Sequence, residues 1–350
     1  MAKKQLSVGG VLIGGGAPVT VQSMTNTKTS DVAATAAQTR RLAAAGCDIV
    51  RFAVPDMAAA HAIEAIKKEV SVPIVADIHF DYRLAVAAAE AGADKIRINP
   101  GNIGAEENVR AVTDICRQKG IPIRIGVNGG SLERDILARF GGVTPEALLE
   151  SAMRHVRLLN RFDFDDICIS VKSSEVALTI DSYRLLSQAT DYPLHLGVTE
   201  AGTEYMGIIK SSVGIGALLA EGIGDTIRVS LTALPEREVK AGIAILKALG
   251  LRESGADLIS CPTCGRTKID LIPIAEEVEK RLAGMDRPIT VAVMGCAVNG
   301  PGEARRADFG IAGGDGEGVL FRRGEIVRKV PMAALVDELF KLIGESYSEK

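Results

Sequence analysis

The chain has little of what marks a membrane or nucleic-acid-binding protein. Tryptophan is absent from its 350 residues, aromatic residues make up 4%, and the 41 Lys and Arg nearly balance the 44 Asp and Glu. The resulting net charge of −3 gives no reason to expect a nucleic-acid partner or an anionic-membrane surface. No apolar run approaches the roughly 20 residues that span a bilayer. We therefore expect no membrane segment.

Short β-branched runs alternate with Ala-rich helical stretches from residue 19 onward, the pattern of parallel strands joined by helical crossovers. Eight such units in about 235 residues predict an α/β fold of the TIM (β/α)8 barrel type. The predicted strands are 19–22, 49–52, 74–77, 95–98, 123–127, 167–171, 194–198 and 226–229.

A repeat supports this count. Three helix-to-strand joints contain Gly followed by Asp, at Asp48, Asp94 and Asp225, and an arginine follows each aspartate after three residues. This common offset predicts that the three arginines lie at one level of the barrel.

The pattern changes after residue 250, where Gly255 and its charged neighbours break the last helix. We predict two domains, a substrate-binding barrel over 1–250 and a small α+β domain over 251–350. The Gly-rich segment 313–318 of the second domain is more typical of a hairpin turn than of a phosphate-binding loop, because no helix follows it closely.

The N-terminal segment imitates a signal peptide, with Lys3 and Lys4 before the apolar stretch 6–13. Glycines break this stretch, and we expect a short hairpin at the barrel mouth instead. Six cysteines without a secretory signal indicate a reducing compartment, so we expect a cytoplasmic protein.

Three of these cysteines form a candidate metal site. Cys261 and Cys264 belong to a Cys-Pro-Thr-Cys-Gly-Arg segment, and Cys296 follows about thirty residues later, seven residues before Glu303. Soft thiolates suit zinc or an iron–sulfur cluster. All four histidines lie far upstream, which disfavours a closed structural zinc site, and a carboxylate would leave an exchangeable position. The site therefore favours an iron–sulfur cluster, with zinc as the alternative.

Polar residues at the carboxyl ends of barrel strands usually form the active site. Five predicted strand ends here carry a cation, and the acids in the same positions are only Asp77 and Glu200. So much unbalanced positive charge predicts an anionic substrate, and several Arg forks suit a diphosphate. The alternative is that some of these arginines only pair with acids on neighbouring loops. The candidate residues are Arg51, Asp77, His79, Arg97, Asn99, Arg124, Asn128, Lys172, His195, Glu200, Arg228 and Ser230.

With its two cysteine segments, the second reading Met-Gly-Cys-Ala-Val-Asn-Gly-Pro-Gly-Glu, and a barrel that begins Val-Gln-Ser-Met-Thr-Asn-Thr, the chain resembles the 4-hydroxy-3-methylbut-2-enyl diphosphate synthases of the non-mevalonate isoprenoid pathway. The resemblance covers the whole chain. It implies that Cys261, Cys264, Cys296 and Glu303 ligate a [4Fe-4S] cluster. It also implies that the cationic residues and their polar neighbours contact the substrate, 2-C-methyl-D-erythritol 2,4-cyclodiphosphate.

The reaction implied by the resemblance is a two-electron reductive ring opening with loss of water. Glu200 or a histidine of the rim would supply the proton, with Asp77 and His79 among the catalytic candidates and Glu303 as a displaceable ligand. Flavodoxin or ferredoxin would donate the electrons, and the family suggests a homodimer.

Two other functions remain open from the sequence. A barrel transferase similar to dihydropteroate synthase, with a structural metal domain, would use the same cations without redox chemistry. A metal-stabilised binding module would need neither the cations nor an open metal site.

Overall fold

The computed structural model of the protein describes residues 4–253, 255–285, 287–296, 302 and 304–348. The chain divides into two compact units, Met1–Arg252 and Glu253–Lys350. None of the helices in these ranges is long and apolar enough to cross a membrane.

The first unit begins with a two-stranded antiparallel hairpin, β1 (Gln5–Val8) and β2 (Val11–Gly14). Eight strands follow: β3 (Thr20–Met24), β4 (Ile49–Ala53), β5 (Ile74–Asp77), β6 (Lys95–Ile98), β7 (Ile123–Asn128), β8 (Ile167–Lys172), β9 (His195–Leu196) and β10 (Thr226–Ile227). The helices are α1 (Val32–Ala44), α2 (Met57–Lys67), α3 (Tyr82–Glu90), α4 (Pro100–Ile103), α5 (Glu106–Lys119), α6 (Arg134–Phe140), α7 (Pro145–Arg161), α8 (Val176–Ala189), α9 (Glu204–Ala220) and α10 (Pro235–Ala248).

The eight strands form one parallel sheet in the order β8-β7-β6-β5-β4-β3-β10-β9. A parallel bridge between Ile169 and Leu194 joins its two ends and closes the barrel. The prediction of an α/β TIM barrel followed by a smaller α+β unit is confirmed.

The repeated Gly-Asp joints have a structural role. Gly46, Gly92 and Gly224 have φ of 94°, 95° and 116°, a left-handed conformation that favours glycine at helix ends. In each joint the aspartate side chain accepts a hydrogen bond from the backbone N–H at the start of the preceding strand, at 2.7 Å in all three cases: Asp48 from Val21, Asp94 from Ile74 and Asp225 from Leu194. These bonds set neighbouring strands in the same relative position, so the arginine three residues after each aspartate faces the barrel interior.

The N-terminal hairpin covers the opposite end of the barrel from the one predicted. Leu6, Val8 and Ile13 pack with Ile49, Val75 and other buried side chains near the starts of the strands. The hairpin therefore closes the amino end of the barrel and leaves the carboxyl ends of the strands to the candidate site.

The second unit contains β11 (Asp257–Ser260), α11 (Leu271–Leu282), β12 (Thr290–Met294), β13 (Phe309–Gly313), β14 (Glu317–Arg322), β15 (Glu325–Pro331) and α12 (Leu335–Ser348). Its sheet has the order β11-β12-β13-β14-β15, parallel over the first three strands and antiparallel over the rest. Gly313 pairs with Gly318 across the β13–β14 hairpin, so the Gly-rich segment forms a turn.

The hairpin yields a test of barrel closure. Replacing Ile13 by Ala should lower the free energy of unfolding by about 2–4 kcal/mol, because its side chain is wholly buried and would leave a cavity. Leu12→Ala is the matched control, since Leu12 is 47% exposed and should change stability by less than about 0.5 kcal/mol. Urea unfolding followed by circular dichroism measures both, and equal effects would contradict the inward packing of the hairpin.

Candidate active site

The interior of the barrel is polar. TIM barrels usually fill this space with branched apolar side chains. Here the residues that face the helices, such as Ile96 and Ile98 of β6, belong to the hydrophobic core, while those that alternate with them are charged. Six cations occupy inward positions: Arg51, Lys95, Arg97, Arg124, Lys172 and Arg228.

These cations lie deeper than the sequence predicts. Lys172 ends β8 and Arg228 follows β10, but Arg51 and Arg97 are the third residues of β4 and β6, and Arg124 is the second residue of β7. The prediction that all five end their strands is therefore wrong for these three arginines. Because inward positions recur every second residue, a basic side chain within a strand reaches the barrel axis below the rim.

Asp77 is the central counter-charge. Its Oδ1 lies 3.0 Å from Arg97 Nη1, and its Oδ2 lies 3.7 Å from both Arg51 Nε and His79 Nε2. Burial alone would raise the pKa of Asp77, but Arg51 and Arg97 lower it well below its usual range. Asp77 therefore remains a carboxylate at neutral pH and is suited to hold the arginines, not to donate a proton.

Arg228 is paired with an acid from a helix. Its Nη2 lies 3.4 Å from Glu238 Oε2, and the same carboxylate accepts hydrogen bonds from Ser23 Oγ at 3.1 Å and from the backbone N–H of Leu231 at 3.0 Å. Glu238 thus balances part of the positive charge of Arg228, as Asp77 does for Arg51 and Arg97.

Arg124 lacks such a partner. It is wholly buried, and none of its three guanidinium nitrogens has a hydrogen-bond acceptor among the residues that the structure describes. It stands opposite Arg97 on the neighbouring strand. Burial, with Arg97 beside it, lowers the pKa of Arg124 to about 10, so it stays charged at neutral pH. A buried guanidinium with five free donors requires an anion.

Gly126 makes room for Arg97. A β-carbon at Gly126 would lie 2.3 Å from Arg97 Nε, closer than any real contact allows. The glycine lies two residues after Arg124 on the inward face of β7, so the absence of a side chain there permits two arginines to lie side by side.

Lys95 is a residue that the sequence analysis missed. It begins β6 and is wholly buried, and its Nζ has no hydrogen-bond partner in the described part of the chain. Burial lowers the pKa of Lys95 to about 8. Its signal was available in the sequence, because Lys95 precedes Arg97 by two residues and therefore faces the same side of the strand.

His195 also lies in the interior. It is wholly buried, its Nδ1 lies 3.4 Å from Thr226 Oγ1, and its Nε2 is without a partner among the described residues. Burial, then Arg124 and Lys172, lowers the pKa of His195 well below its usual range, so the ring is neutral. For Lys172, burial is again the largest cause of a strongly lowered pKa, followed by Arg51.

The carboxyl ends of β7 and β8 open into a polar pocket of about 530 Å³. It brings together Asn128, Lys172 and Glu200. Glu200 has φ of 52°, an unusual conformation for a residue with a side chain, of the kind that concentrates at functional sites. The rim thus supplies an amide, a cation and a carboxylate next to one cavity.

Other predicted residues lie elsewhere on the rim. Asn99 caps the short helix α4, where its Oδ1 accepts a hydrogen bond from the backbone N–H of Gly101 at 3.1 Å, and its Nδ2 lies 3.4 Å from Ser131 Oγ. His79 is exposed beside Asp77, and Ser230 is half-buried two residues after Arg228. Asn99 therefore uses part of its hydrogen-bonding capacity to stabilise the start of α4.

In the second unit, the parallel pairing of β11 with β12 brings two cysteines to one edge. Cys261 directly follows β11 and Cys296 follows β12 after one residue. The backbone N–H of Gly295 donates to Cys261 Sγ at 3.1 Å. The backbone N–H and then the side chain of Arg266 lower the pKa of Cys264, which favours its thiolate.

This donor set fits an iron–sulfur cluster, because backbone N–H groups already point at sulfur and the thiols lie on loops at one sheet edge. Within the described residues, no three His, Cys, Asp or Glu side chains are gathered as a metal site. Glu303 lies outside the described residues. The other cysteines, Cys47, Cys116 and Cys168, are buried in the barrel, where burial raises the pKa of each thiol.

Among solved structures, the barrel resembles dihydropteroate synthase from Xanthomonas albilineans, with 18% identity and a TM-score of 0.51 over 71% of this chain and 98% of that one. It also resembles type I 3-dehydroquinate dehydratase from Clostridium difficile, with 15% identity and a TM-score of 0.52 over the same shares. At these identities the similarity concerns the barrel fold alone.

Sequence relatives cover both units. The chain is 59% identical to 4-hydroxy-3-methylbut-2-en-1-yl diphosphate synthase (flavodoxin) of Geobacter sulfurreducens, over 99% of this chain and 98% of the relative. It is 60% identical to the enzyme of that name from Clostridium perfringens, over 97% of each chain. Residues 3–243 match the GcpE TIM-barrel domain and residues 257–345 match the GcpE protein C-terminal domain. The chain belongs to the GcpE family.

Proposed function

We propose that the inner cations of the barrel bind a cyclic diphosphate and that the cysteines of the second unit hold the redox group that reduces it. The reaction is that for which the GcpE relatives are named: 2-C-methyl-D-erythritol 2,4-cyclodiphosphate takes up two electrons, its ring opens, and a hydroxyl leaves as water to give 4-hydroxy-3-methylbut-2-enyl diphosphate. These relatives confirm the enzyme activity that the cysteine and barrel motifs predict through their resemblance to the family. The transferase alternative is not favoured.

The observation that carries the proposal is the uncompensated charge inside the barrel. Among the described residues, Asp77 and Glu238 are the two carboxylates that pair with these six cations. Moving a charge from water into a protein interior costs several kcal/mol unless it is paired. A diphosphate supplies both the negative charge and enough oxygen acceptors for the guanidinium groups.

The positions of the cations suggest how the substrate is oriented. Arg97 and Arg124 stand opposite each other on β6 and β7 and offer two parallel sets of donors to the phosphate oxygens. Lys172 and Asn128 line the pocket at the rim, where the carbon skeleton of the substrate would extend toward solvent. Arg51, Arg228 and Ser230 complete the ring from the other strands, and neutral His195 offers a hydrogen bond from within.

Proton delivery is assigned to Glu200. It is exposed at the rim pocket beside Lys172 and Asn128, where its carboxyl group could reach a departing hydroxyl. Asp77, by contrast, is held as a carboxylate by two arginines and serves to align them. His79 is a second candidate donor, because it is exposed and lies next to Asp77.

We assign Cys261, Cys264 and Cys296, with Glu303 as the displaceable fourth ligand, to a [4Fe-4S] cluster. Bound there, the cluster would supply the two electrons one at a time. The chain contributes N–H donors to sulfur from Gly295 and Arg266, which stabilise the thiolates. Flavodoxin is the expected electron donor, with ferredoxin as the alternative, and we expect a homodimer.

Substitution of Arg97 or Arg124 by Ala tests the diphosphate site. A charged hydrogen bond contributes roughly 1.5–3 kcal/mol, so each change should weaken substrate binding by about one to two powers of ten. Calorimetric titration of the oxidised holoenzyme with the cyclic diphosphate measures this without turnover. Arg110→Ala, at an exposed position on α5, is the control and should bind normally. Unchanged affinity in both interior variants would return these arginines to a structural role.

Substitution of Cys264 by Ser tests the cluster site. Protein purified without oxygen should lose most of its iron and acid-labile sulfide, because a hydroxyl is a much poorer ligand than a thiolate. Cys116→Ala is the control, since that thiol is buried in the barrel and should leave the metal content unchanged. Stoichiometric zinc without sulfide in the unaltered protein would instead assign the site to a structural metal.

A further inference from the structure

Lys95 has a charge that no group described so far explains. It is 0% exposed, and within the described residues its Nζ has no hydrogen-bond partner. Branched apolar residues are the usual occupants of such an inward position. A methionine would fill nearly the same volume without the cost of burying an ammonium, so the packing of the barrel alone does not require lysine.

The groups that face Lys95 make its charge still less favourable. Arg124 of β7 and Arg51 of β4 lower the pKa of Lys95, and His195 of β9 is a neutral ring. As a thiolate, Cys168 of β8 would favour the ammonium and so raise the pKa of Lys95, but burial raises the pKa of that thiol and disfavours its charged form. The carboxylate of Asp77 is already shared by Arg51 and Arg97. Further negative charge that enters the barrel would therefore stabilise the ammonium.

The alternation of β6 places Lys95 in line with the proposed substrate contacts. Lys95, Arg97 and Asn99 occupy successive inward positions, with Lys95 at the amino end and Asn99 just beyond the carboxyl end. An anion held by Arg97 and Arg124 would thus lie between Lys95 and the mouth of the barrel.

We propose that Lys95 is a positioning residue for the diphosphate: its ammonium stabilises the bound anion from below, and where the side chain is neutral in the free barrel it takes up a proton from solvent as the substrate binds. This inference rests on the proposed function, since it needs a diphosphate at Arg97 and Arg124. The free barrel bears the unfavourable burial of this ammonium at neutral pH, and the complex gains an attraction that forms only when the anion is in place.

The sign of the pH dependence follows from the direction of the shift. Burial lowers the pKa of Lys95 to about 8 in the free barrel, and a bound anion would raise it again. Both states of Lys95 carry the proton well below pH 8, so Lys95 adds no pH dependence to the affinity there. Above about pH 8 binding must take up a proton, and the affinity should fall by up to about tenfold per pH unit. The two phosphates of the cyclic substrate carry only strongly acidic protons and do not titrate in this range.

Calorimetric titration of the oxidised holoenzyme with the cyclic diphosphate, at pH 8.5 in buffers of different ionisation enthalpy, measures the protons taken up on binding. The unaltered protein should take up a fraction of a proton. Lys95→Met should take up fewer protons than the unaltered protein, with Lys172, whose pKa burial also lowers, as a source of the remainder, and should bind roughly tenfold more weakly at pH 7. Lys95→Arg, which stays charged, should lose less affinity than the unaltered protein above pH 8. Lys68→Met, at an exposed position, is the control and should match the unaltered protein.

A melting experiment tests the premise that the ammonium is uncompensated. Without substrate at pH 7, Lys95→Met should melt at a higher temperature, because the lysine binds its proton more weakly in the folded than in the unfolded chain. A lower melting temperature would show that an unseen group already pairs with the ammonium and would overturn the inference.

Two results separate this inference from the proposed function. If the unaltered protein binds the cyclic diphosphate but Lys95→Met takes up as many protons, the inference is wrong and the diphosphate site stands. If Lys95→Met yields no folded protein, a pH profile of Lys95→Arg that falls above pH 8 like that of the unaltered protein would be equally decisive against it. If the unaltered protein does not bind the cyclic diphosphate, the proposed function itself fails.

Discussion

The dominant physical constraint in the barrel is the burial of positive charge in a medium of low polarity. Arg124 and Lys95 are wholly buried, and the part of the chain that the structure describes offers neither a hydrogen-bond acceptor. An interior of this kind is unfavourable for folding and favourable for binding an anion, because the same charges that repel one another in the free protein attract the ligand. The buried cations therefore lower the stability of the free protein and favour the binding of an anion.

The scaffold tolerates this cost because the layer between the strands and the helices is mainly apolar and closely packed. The outward faces of the strands and the inner faces of the helices form one continuous hydrophobic core. The hairpin β1–β2 closes the amino end with Leu6, Val8 and Ile13, and the polar interior opens at the carboxyl ends of the strands. Within the described residues, the carboxylates of Asp77 and Glu238 pair with Arg51, Arg97 and Arg228. The remaining cations, Lys95, Arg124 and Lys172, are then available to bind an anionic ligand.

Parallel strands also position the cysteines of the second unit. β11 and β12 run side by side in one direction, so the segments that follow them emerge at one edge of the sheet and bring Cys261 and Cys296 there. Backbone N–H groups are oriented toward the sulfur atoms of Cys261 and Cys264. The thiols thus lie on short loops at the edge of a rigid sheet. This arrangement suits the binding of a bulky group, because the loops allow its ligands to adjust.

The sequence by itself determined the barrel, the division into two units, the inward arginines of the Gly-Asp repeats and the two cysteine segments, because each follows from the spacing of near neighbours. The end of the barrel that the hairpin covers, the pairing of Arg228 with Glu238, the lack of a partner for Arg124 and the burial of Lys95 were decided only by the tertiary structure. The reason is that burial and charge pairing depend on residues that are distant in sequence and meet only when the eight strands close into a ring. The alternation along β6 shows that Lys95 faces the barrel interior. The closed barrel was needed to show that no carboxylate among the described residues pairs with it there.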